Sequence, residues 1–322
     1  MINDVYNKLI QKKDEITKKM LLTRTEWAQN HANAIKDEWI EYCPEKPVEL
    51  PVIGVDGGMW VSETKTGAVF AVDAVAVYGQ GMNWELLDSM AELGFLSPGN
   101  DTKDVVSLFM EIMEMKLALR GLNGLKNANA ELVLMDGSVV KKGERSSRVR
   151  TAEGAVNLEK IESLEESDEK KAYKKALLEH RRALVDLLSF REKVIWISKK
   201  SRSTEIFGSE FPDSVILDLL TDSCGYTKPR PIHMRYLPVP MYYSFVRLRR
   251  GSKVLRVDFS GDEAFLRRVI SILRSTETKG YPMQLLEAHR KARFSKADVR
   301  RLSQVLKLNL IKGPQWVPKS LK

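Results

Sequence analysis

The chain has 322 residues, 43% of them hydrophobic and 30% charged, which is typical of a globular protein with a sizeable core. Lysine and arginine exceed aspartate and glutamate by 52 to 43, a surplus that favours a polyanionic partner such as nucleic acid. Cys43 and Cys224 lack zinc-site or disulfide-framework spacing, and neither a signal peptide nor an apolar run of ~18 residues is present, so we expect a reduced, cytoplasmic protein outside the membrane.

The first part of the chain is predicted to be a long helix followed by strands. Residues 2–42 place apolar side chains on one stripe among many charges, and the prolines at 44, 47 and 51 then mark a linker. The elements predicted next are strands at 52–58 and 67–79, a helix at 102–121 and a strand at 131–138. The near-continuous apolar character of the first two strands indicates burial on both faces.

The second part mixes helices with a late hairpin. The pattern predicts a polar loop over 141–170, a helix of roughly 165–190, a strand at 193–199, a helix at 213–221, two strands joined at 250–252, and helices at 262–275, 283–292 and 295–307. This order predicts an α/β fold with a mixed sheet and flanking helices. We expect a helical arm over residues 1–46, a main domain over 47–322 and a helical insertion at about 141–192.

Two aspartates occur in matching contexts, each after an apolar strand and before a glycine. Asp56 lies in VIGVDGG and Asp136 in LVLMDGS. Because open α/β sheets place their sites at the carboxyl ends of strands, these two carboxylates are candidate site residues. The alternative is that both are turns, since Asp-Gly is a common turn dipeptide.

The helix between the two aspartates carries Glu111 and Glu114 among apolar neighbours. Either glutamate could equally lie at a solvated edge. Carboxylates that converge in a cleft repel one another, and a divalent cation removes that repulsion. Oxygen ligands suit Mn²⁺ or Mg²⁺, and two such ions can support phosphodiester cleavage.

Among the histidines, His289 is the candidate for chemistry, and Tyr281 precedes it in GYPMQLLEAHRKA. A histidine beside a metal can bind the ion or transfer a proton, whereas a structural histidine packed beside Tyr281 is the alternative. The remaining histidines, His31, His180 and His233, are predicted to lie at the surface. Asp73, within an apolar strand, is unexplained and could be a carboxylate behind the site or a buried hydrogen-bonded group.

Basic and aromatic residues are candidates for holding a substrate. Lys199, Lys200 and Arg202 follow a buried strand and are predicted to contact DNA phosphates, with a solvated turn as the alternative. Further candidates are the hairpin residues Arg247, Arg249, Arg250, Tyr242 and Tyr243. The tyrosines could stack on unpaired bases, but core packing is expected for at least one, since strand neighbours point to opposite faces.

These residues resemble a known family, the NurA nucleases. The resemblance rests on IGVDGG, the glutamate-bearing helix before LVLMDGS, the SKKSRS turn and GYPMQLLEAHRKA, which together span residues 50 to about 295. It implies an RNase H-like α/β fold in which Asp56, Glu114, Asp136 and His289 hold metal and Tyr281 positions the substrate. Glu114 fits the family pattern better than Glu111.

The resemblance also implies an activity and partners. NurA proteins are manganese-dependent single-strand endonucleases and 5′-to-3′ exonucleases on DNA, acting on single strands or duplex ends. They form homodimers that dock on the hexameric ATPase HerA in DNA end resection and double-strand break repair. Two alternatives remain: a non-catalytic DNA-binding or scaffolding subunit with the same fold, and a phosphatase acting on small phosphoesters.

Overall fold

A computed structural model describes residues 2–149, 154–234 and 237–308, which form twelve strands and eight α-helices. The strands are β1 (Trp39–Glu41), β2 (Pro51–Thr64), β3 (Gly67–Gln80), β4 (Asn83–Leu96), β5 (Leu132–Asp136), β6 (Val194–Ser198), β7 (Gly225–Thr227), β8 (Arg230–Pro231), β9 (Tyr242–Arg247), β10 (Leu255–Phe259), β11 (Glu277–Thr278) and β12 (Tyr281–Pro282). The helices are α1 (Ile2–Glu38), α2 (Thr102–Leu122), α3 (Val139–Ser146), α4 (Glu169–Ser189), α5 (Asp213–Leu220), α6 (Glu263–Ser275), α7 (Met283–Ala292) and α8 (Lys296–Val305).

A ten-stranded mixed sheet forms the centre of the protein, with the order β1-β7-β9-β10-β6-β5-β2-β3-β4 and β8 beside β9. Strands β2, β3 and β4 form a long antiparallel meander. The neighbouring pairs β2–β5 and β5–β6 are parallel, and β10 and β9 continue the sheet in antiparallel fashion. The predicted α/β fold with a mixed sheet is therefore confirmed.

Helices cover both faces of this sheet. On one face, α2 and α4 pack against alternate side chains of β2, β3 and β5 such as Ile53, Val55 and Val133. On the other face, α6 and α7 pack against the intervening side chains, among them Val52 and Leu134. Because strand neighbours point to opposite faces, a single strand supplies both cores.

Several elements differ from the sequence prediction, among them β1, which lies within the predicted helix over 2–42. Strand β2 continues to Thr64 rather than ending near Gly58, so its aspartate lies within the strand. Strand β4 was not predicted, because it is an edge strand whose many polar and exposed residues obscure its alternation. Helix α3 occupies the start of the predicted polar loop, where its apolar residues are too few to show a helical stripe.

The two cysteines are joined, which corrects the prediction that they are unpaired and reduced. Strand β1 pairs with β7, and this pairing brings Cys43 and Cys224 into a disulfide with Cα atoms 5.4 Å apart across 181 residues of sequence. Cysteine spacing alone does not reveal such a contact, because it depends on which strands become neighbours.

The long helix α1 keeps several apolar side chains exposed, among them Val5, Leu9, Ile16 and Met20. These residues belong to the stripe predicted from the sequence. Among the described residues, no helix is both long enough and apolar enough to cross a membrane. The division into an arm over 1–46 and a domain over 47–322 stays a prediction.

Candidate metal centre

Asp56 lies where β2 loses one of its two neighbours. Strand β5 pairs with β2 only over Val52–Val55, and β5 ends at Asp136. Beyond that point β2 continues beside β3 alone. We call the resulting gap, bounded by Asp56, Gly57 and Asp136, the notch. The notch, rather than the end of β2, makes the buried Asp56 carboxylate accessible to partners.

The glycines around Asp56 allow close packing, and at Gly57 the strand continues instead of forming the Asp-Gly turn that was the alternative from the sequence. A β-carbon at Gly54 would lie 2.5 Å from the Gln284 carbonyl carbon of α7, and one at Gly58 would lie within 2 Å of the Ala292 carbonyl oxygen. A β-carbon at Gly57 would lie 2.8 Å from Glu114 Oε1. Helix α7 and the Glu114 side chain therefore approach β2 from opposite faces.

Asp136 lies at the end of β5, as predicted, and a true turn follows it. Gly137 adopts a φ of 100°, a conformation that favours glycine. Ser138 then caps α3 by accepting a hydrogen bond from the Val140 backbone. The fully buried Asp258 of β10 accepts hydrogen bonds from the Ser138 hydroxyl and the Val139 N–H, at 2.7 and 3.0 Å. The turn after Asp136 is thereby fixed to the sheet.

Helix α7 and strand β12 bring His289 and Tyr281 to the same place. His289 Nδ1 is 2.7 Å from Asp56 Oδ2, and the Tyr281 hydroxyl donates to Asp136 Oδ1 at 2.8 Å. One ligand atom from each of Asp56, Asp136 and His289 lies within 4.8 Å of the others. The aspartates are partly or fully buried, whereas the His289 side chain is 49% exposed.

Burial and neighbouring negative charge disfavour the ionised forms of Asp56 and Tyr281. Burial raises the pKa of Asp56, the Asp136 carboxylate raises it further, and His289 opposes both effects. Burial, and then the charge of Asp136, raise the pKa of Tyr281 well above its ordinary value. Tyr281 therefore keeps its proton and acts as a hydrogen-bond donor at this site.

Glu114 lies behind Asp56 on the α2 side of the sheet. Its Oε2 atom is 3.0 Å from Lys142 Nζ, and its Oε1 atom faces Gly57. Burial raises the pKa of Glu114 to about 7 although Lys142 opposes the shift, and Asp56 and Glu111 contribute to the increase. Glu114 lies outside the cluster of Asp56, Asp136 and His289 but interacts with Asp56 electrostatically.

Glu111 turns away from the notch into a buried polar network. It contacts Lys142 and Arg145 through Oε1, and its Oε2 is 2.9 Å from His180 Nε2. Burial favours the neutral acid, but the cations of this network hold the pKa of Glu111 well below its ordinary range. His180 is fully buried, so its predicted place at the surface is wrong.

Of the predicted DNA-binding residues, Lys199 contacts Tyr281, whose hydroxyl donates to Asp136. Its Nζ lies 4.0 Å from the centre of the Tyr281 ring. Lys200 and Arg202 are exposed on the same turn after β6. Arg249 and Arg250 pair with Glu277 and Asp222 at 3.8 and 2.8 Å.

Arg247, a candidate for substrate binding in the sequence analysis, is a buried structural residue. It is 1% exposed and donates to Ser252, Thr221 and Leu217. Tyr243 is buried as well, and its hydroxyl donates to Glu205 at 2.7 Å, which confirms core packing for one of the two hairpin tyrosines.

Asp73 lies on β3 opposite Gly58, on the face of the sheet that carries Asp56. Burial raises the pKa of Asp73 to about 7, and Asp56 adds to the increase. The N–H of Gly58 opposes the shift by hydrogen bonding to the carboxyl group. Asp73 is therefore a partly buried carboxyl group that interacts with Asp56, and its role, as a carboxylate behind the site or as a hydrogen-bonded group, stays a prediction.

The fold and the site define an α/β protein in which two carboxylates and an imidazole converge at a gap in a mixed sheet. The NurA domain family matches residues 50–294, and the chain belongs to this family. It is 36% identical, over all of both chains, to a DNA double-strand break repair nuclease NurA of Sulfurisphaera tokodaii.

Solved structures agree with this family membership. The crystal structure of the NurA nuclease from Sulfolobus solfataricus is similar with a TM-score of 0.81 and 28% identity, covering 99% of this chain and 100% of that one. A crystal structure of NurA bound to dAMP and manganese has the same fold at a TM-score of 0.62 and 15% identity, covering 94% and 98%.

Proposed function

We propose that the protein is a divalent-metal-dependent DNA nuclease whose metal site is the cluster of Asp56, Asp136 and His289. The observation that carries the proposal is the convergence of their ligand atoms within 4.8 Å. The relatives named as DNA double-strand break repair nucleases support a DNA substrate.

The residues at the notch fit a metal ion in their chemistry. Carboxylate oxygens and one imidazole nitrogen suit Mn²⁺, with Mg²⁺ as the alternative. The pKa of Asp56 is raised by burial and then by Asp136, so a nearby positive charge would stabilise the charged form of this carboxylate. When bound, one or two such ions activate water and stabilise the leaving oxygen of a phosphodiester. Glu114 completes the proposed ligand set from the opposite face of the sheet.

The protein's own residues position the substrate and move protons. Tyr281 donates to Asp136 and fixes the orientation of that carboxylate. Lys199 lies over the Tyr281 ring, where its ammonium group can bind a phosphate close to the site. His289, half exposed beside Asp56, can bind the ion or exchange a proton with the attacking water.

The wider activity follows the family. We propose single-strand endonuclease and 5′-to-3′ exonuclease activity in DNA end resection, with Lys200 and Arg202 binding the strand beside Lys199. An RNase H-like arrangement of acidic residues, a homodimer and a HerA-type ATPase partner are part of the same proposal. The exposed apolar side chains of α1 offer a surface for one of these assemblies.

Replacement of Asp56 tests this function. Asp56→Ala is expected to reduce manganese-dependent digestion of single-stranded DNA at least ~10³-fold, because the ion loses a central ligand. DNA binding, measured by fluorescence anisotropy, should stay within about threefold, since the basic residues that contact phosphates are unchanged. Glu92→Ala, which removes an exposed carboxylate of β4, is the matched control and should cleave like the wild type.

The alternatives give different results in the same assays. If the protein is a scaffolding subunit, the wild type will bind DNA but will not cleave it at any Mn²⁺ concentration. A small-molecule phosphatase would hydrolyse a chromogenic phosphomonoester and would bind with little dependence on salt, whereas DNA binding weakens steeply as salt rises. Full cleavage by Asp56→Ala would overturn the proposed site.

A further inference from the structure

Lys142 is a fully buried cation placed between two glutamates of α2. Its side chain is 7% exposed, and its Nζ lies 3.0 Å from Glu114 Oε2 and 3.3 Å from Glu111 Oε1. A buried ammonium group costs several kcal/mol unless it is paired, so a lysine here requires these carboxylates. Helix α3, which carries Lys142, begins directly after the Asp136 turn.

The two glutamates do not depend on Lys142 equally. Glu111 has further partners, because Arg145 Nη1 lies 2.9 Å from its Oε1 and His180 Nε2 lies 2.9 Å from its Oε2. For Glu114, the ion pair with Lys142 is the contact that engages its carboxylate. Lys142 holds one oxygen of Glu114, and the other oxygen is thereby directed at Gly57 and the notch.

We propose that Lys142 is a positioning residue that orients the Glu114 carboxylate toward the metal site. The inference rests on the proposed function, because it assigns Glu114 a role in holding the ion. Residues behind a metal ligand that fix its orientation commonly change metal affinity by 10–100-fold when replaced. Lys142 contacts the Glu114 oxygen that does not face Gly57, and it acts through that side chain.

Mn²⁺ affinity of the apoprotein tests the proposal without relying on cleavage. The dissociation constant is measured from the free Mn²⁺ signal in electron paramagnetic resonance, together with the melting temperature of each variant. Lys142→Met is expected to weaken Mn²⁺ binding about 10–100-fold. Glu114→Gln is expected to weaken it to a similar extent. Lys142→Arg, which keeps the cation, should recover affinity to within about fivefold of the wild type.

Two controls separate positioning from general damage. Lys141→Met changes the exposed neighbour on the same helix and should bind Mn²⁺ like the wild type. Glu111→Gln disrupts the same buried network yet leaves the Lys142–Glu114 pair in place. It should lower the melting temperature but change the Mn²⁺ dissociation constant less than about threefold. Lys142→Gln, which keeps a shorter N–H donor, is measured in parallel so that the comparison does not depend on folding of the methionine variant.

The outcomes distinguish this inference from the proposed function. If the wild type binds no Mn²⁺, the metal site itself is wrong. If the wild type binds Mn²⁺ and the folded Lys142 variants bind it equally well, Lys142 does not position a ligand. Equal loss of affinity in Glu111→Gln and Lys142→Met would likewise overturn the inference, because it would show a structural effect of the whole network.

Discussion

At the scale of single residues, Asp56 and Glu114 interact electrostatically but have different hydrogen-bond partners. Asp56 contacts His289, whereas Glu114 pairs with the buried Lys142. Both carboxyl groups have a raised pKa, primarily because burial disfavours their charged forms. Metal binding needs the charged forms, so the protons on these groups compete with the ion.

This competition predicts a pH dependence of Mn²⁺ binding. The pKa of Glu114 is raised to about 7, so below pH 7 the ion must displace a proton from it, and above pH 7 it need not. Apparent affinity should therefore rise between pH 5.5 and 7.5, by up to about tenfold per pH unit for each proton released, and level off above pH 8.

Calorimetry in two buffers with different enthalpies of ionisation measures that release directly. At least about half a proton should be released per Mn²⁺ at pH 6, and less at pH 8. Glu114→Gln should release fewer protons at pH 6 than the wild type. Equal proton release at both pH values would contradict the raised pKa of Glu114.

Sequence patterns identified Asp56, Asp136, Tyr281 and His289, and the structure brings these four together. The same sequence patterns could not show whether Glu111 or Glu114 faces the site. Helix α2 is buried on nearly every side, so no apolar stripe shows which of its faces points to the sheet. The buried cation that pairs with both glutamates, Lys142, lay within a stretch interpreted as a polar loop. Its burial depends on tertiary packing, which charge and periodicity along the chain do not encode.

At the scale of elements, the position of α7 against β2 determines where His289 lies. The helix rests on Gly54 and Gly58, where any side chain would collide with its backbone. The sequence left open a turn at Gly57 of the same strand, since Asp-Gly is typical of turns. Strand β2 instead continues, and β3 pairs with it along its full length.

Replacing Gly54 tests this packing. Gly54→Ala places a β-carbon 2.5 Å from the Gln284 carbonyl carbon, so α7 must shift and carry His289 away from Asp56. We expect at least about tenfold loss of cleavage, because displacements near 1 Å at a site can cost ~10²-fold in rate.

The control separates loss of stability from loss of position. Gly208→Ala strains a backbone with a φ of 58° but places its β-carbon in open space. It should lower the melting temperature and leave cleavage unchanged. If both variants retain wild-type activity, the contact between α7 and β2 does not control the site.

At the scale of the whole molecule, the disulfide joins the segment after β1 to the segment before β7. Cys43 follows β1 and Cys224 precedes β7, at the edge of the sheet opposite the meander. The strand order β1-β7-β9 determines this contact. Neither composition nor local periodicity encodes strand order at that range, so the sequence prediction of reduced cysteines failed.

Removing the disulfide should lower stability without changing catalysis. The bond joins residues 181 apart, and its loss is expected to destabilise the fold by about 2–5 kcal/mol, because the unfolded chain gains freedom. The free energy of unfolding of Cys43→Ser and of the wild type, with and without reductant, measures the effect. Cleavage should stay unchanged, since five strand-to-strand steps separate β7 from β2. Equal stability of the two proteins under oxidising conditions would show that the bond contributes nothing.

The notch also makes the length of β5 a determinant of activity. If β5 were one residue longer, its backbone could hydrogen bond to β2 at Asp56, and the ladder would close over the gap. The same insertion would turn the side chain at the end of β5 to the opposite face, away from His289. Insertions and deletions in β5 should therefore be tolerated far less than those in the exposed turn joining β2 to β3, even where the sheet itself still forms.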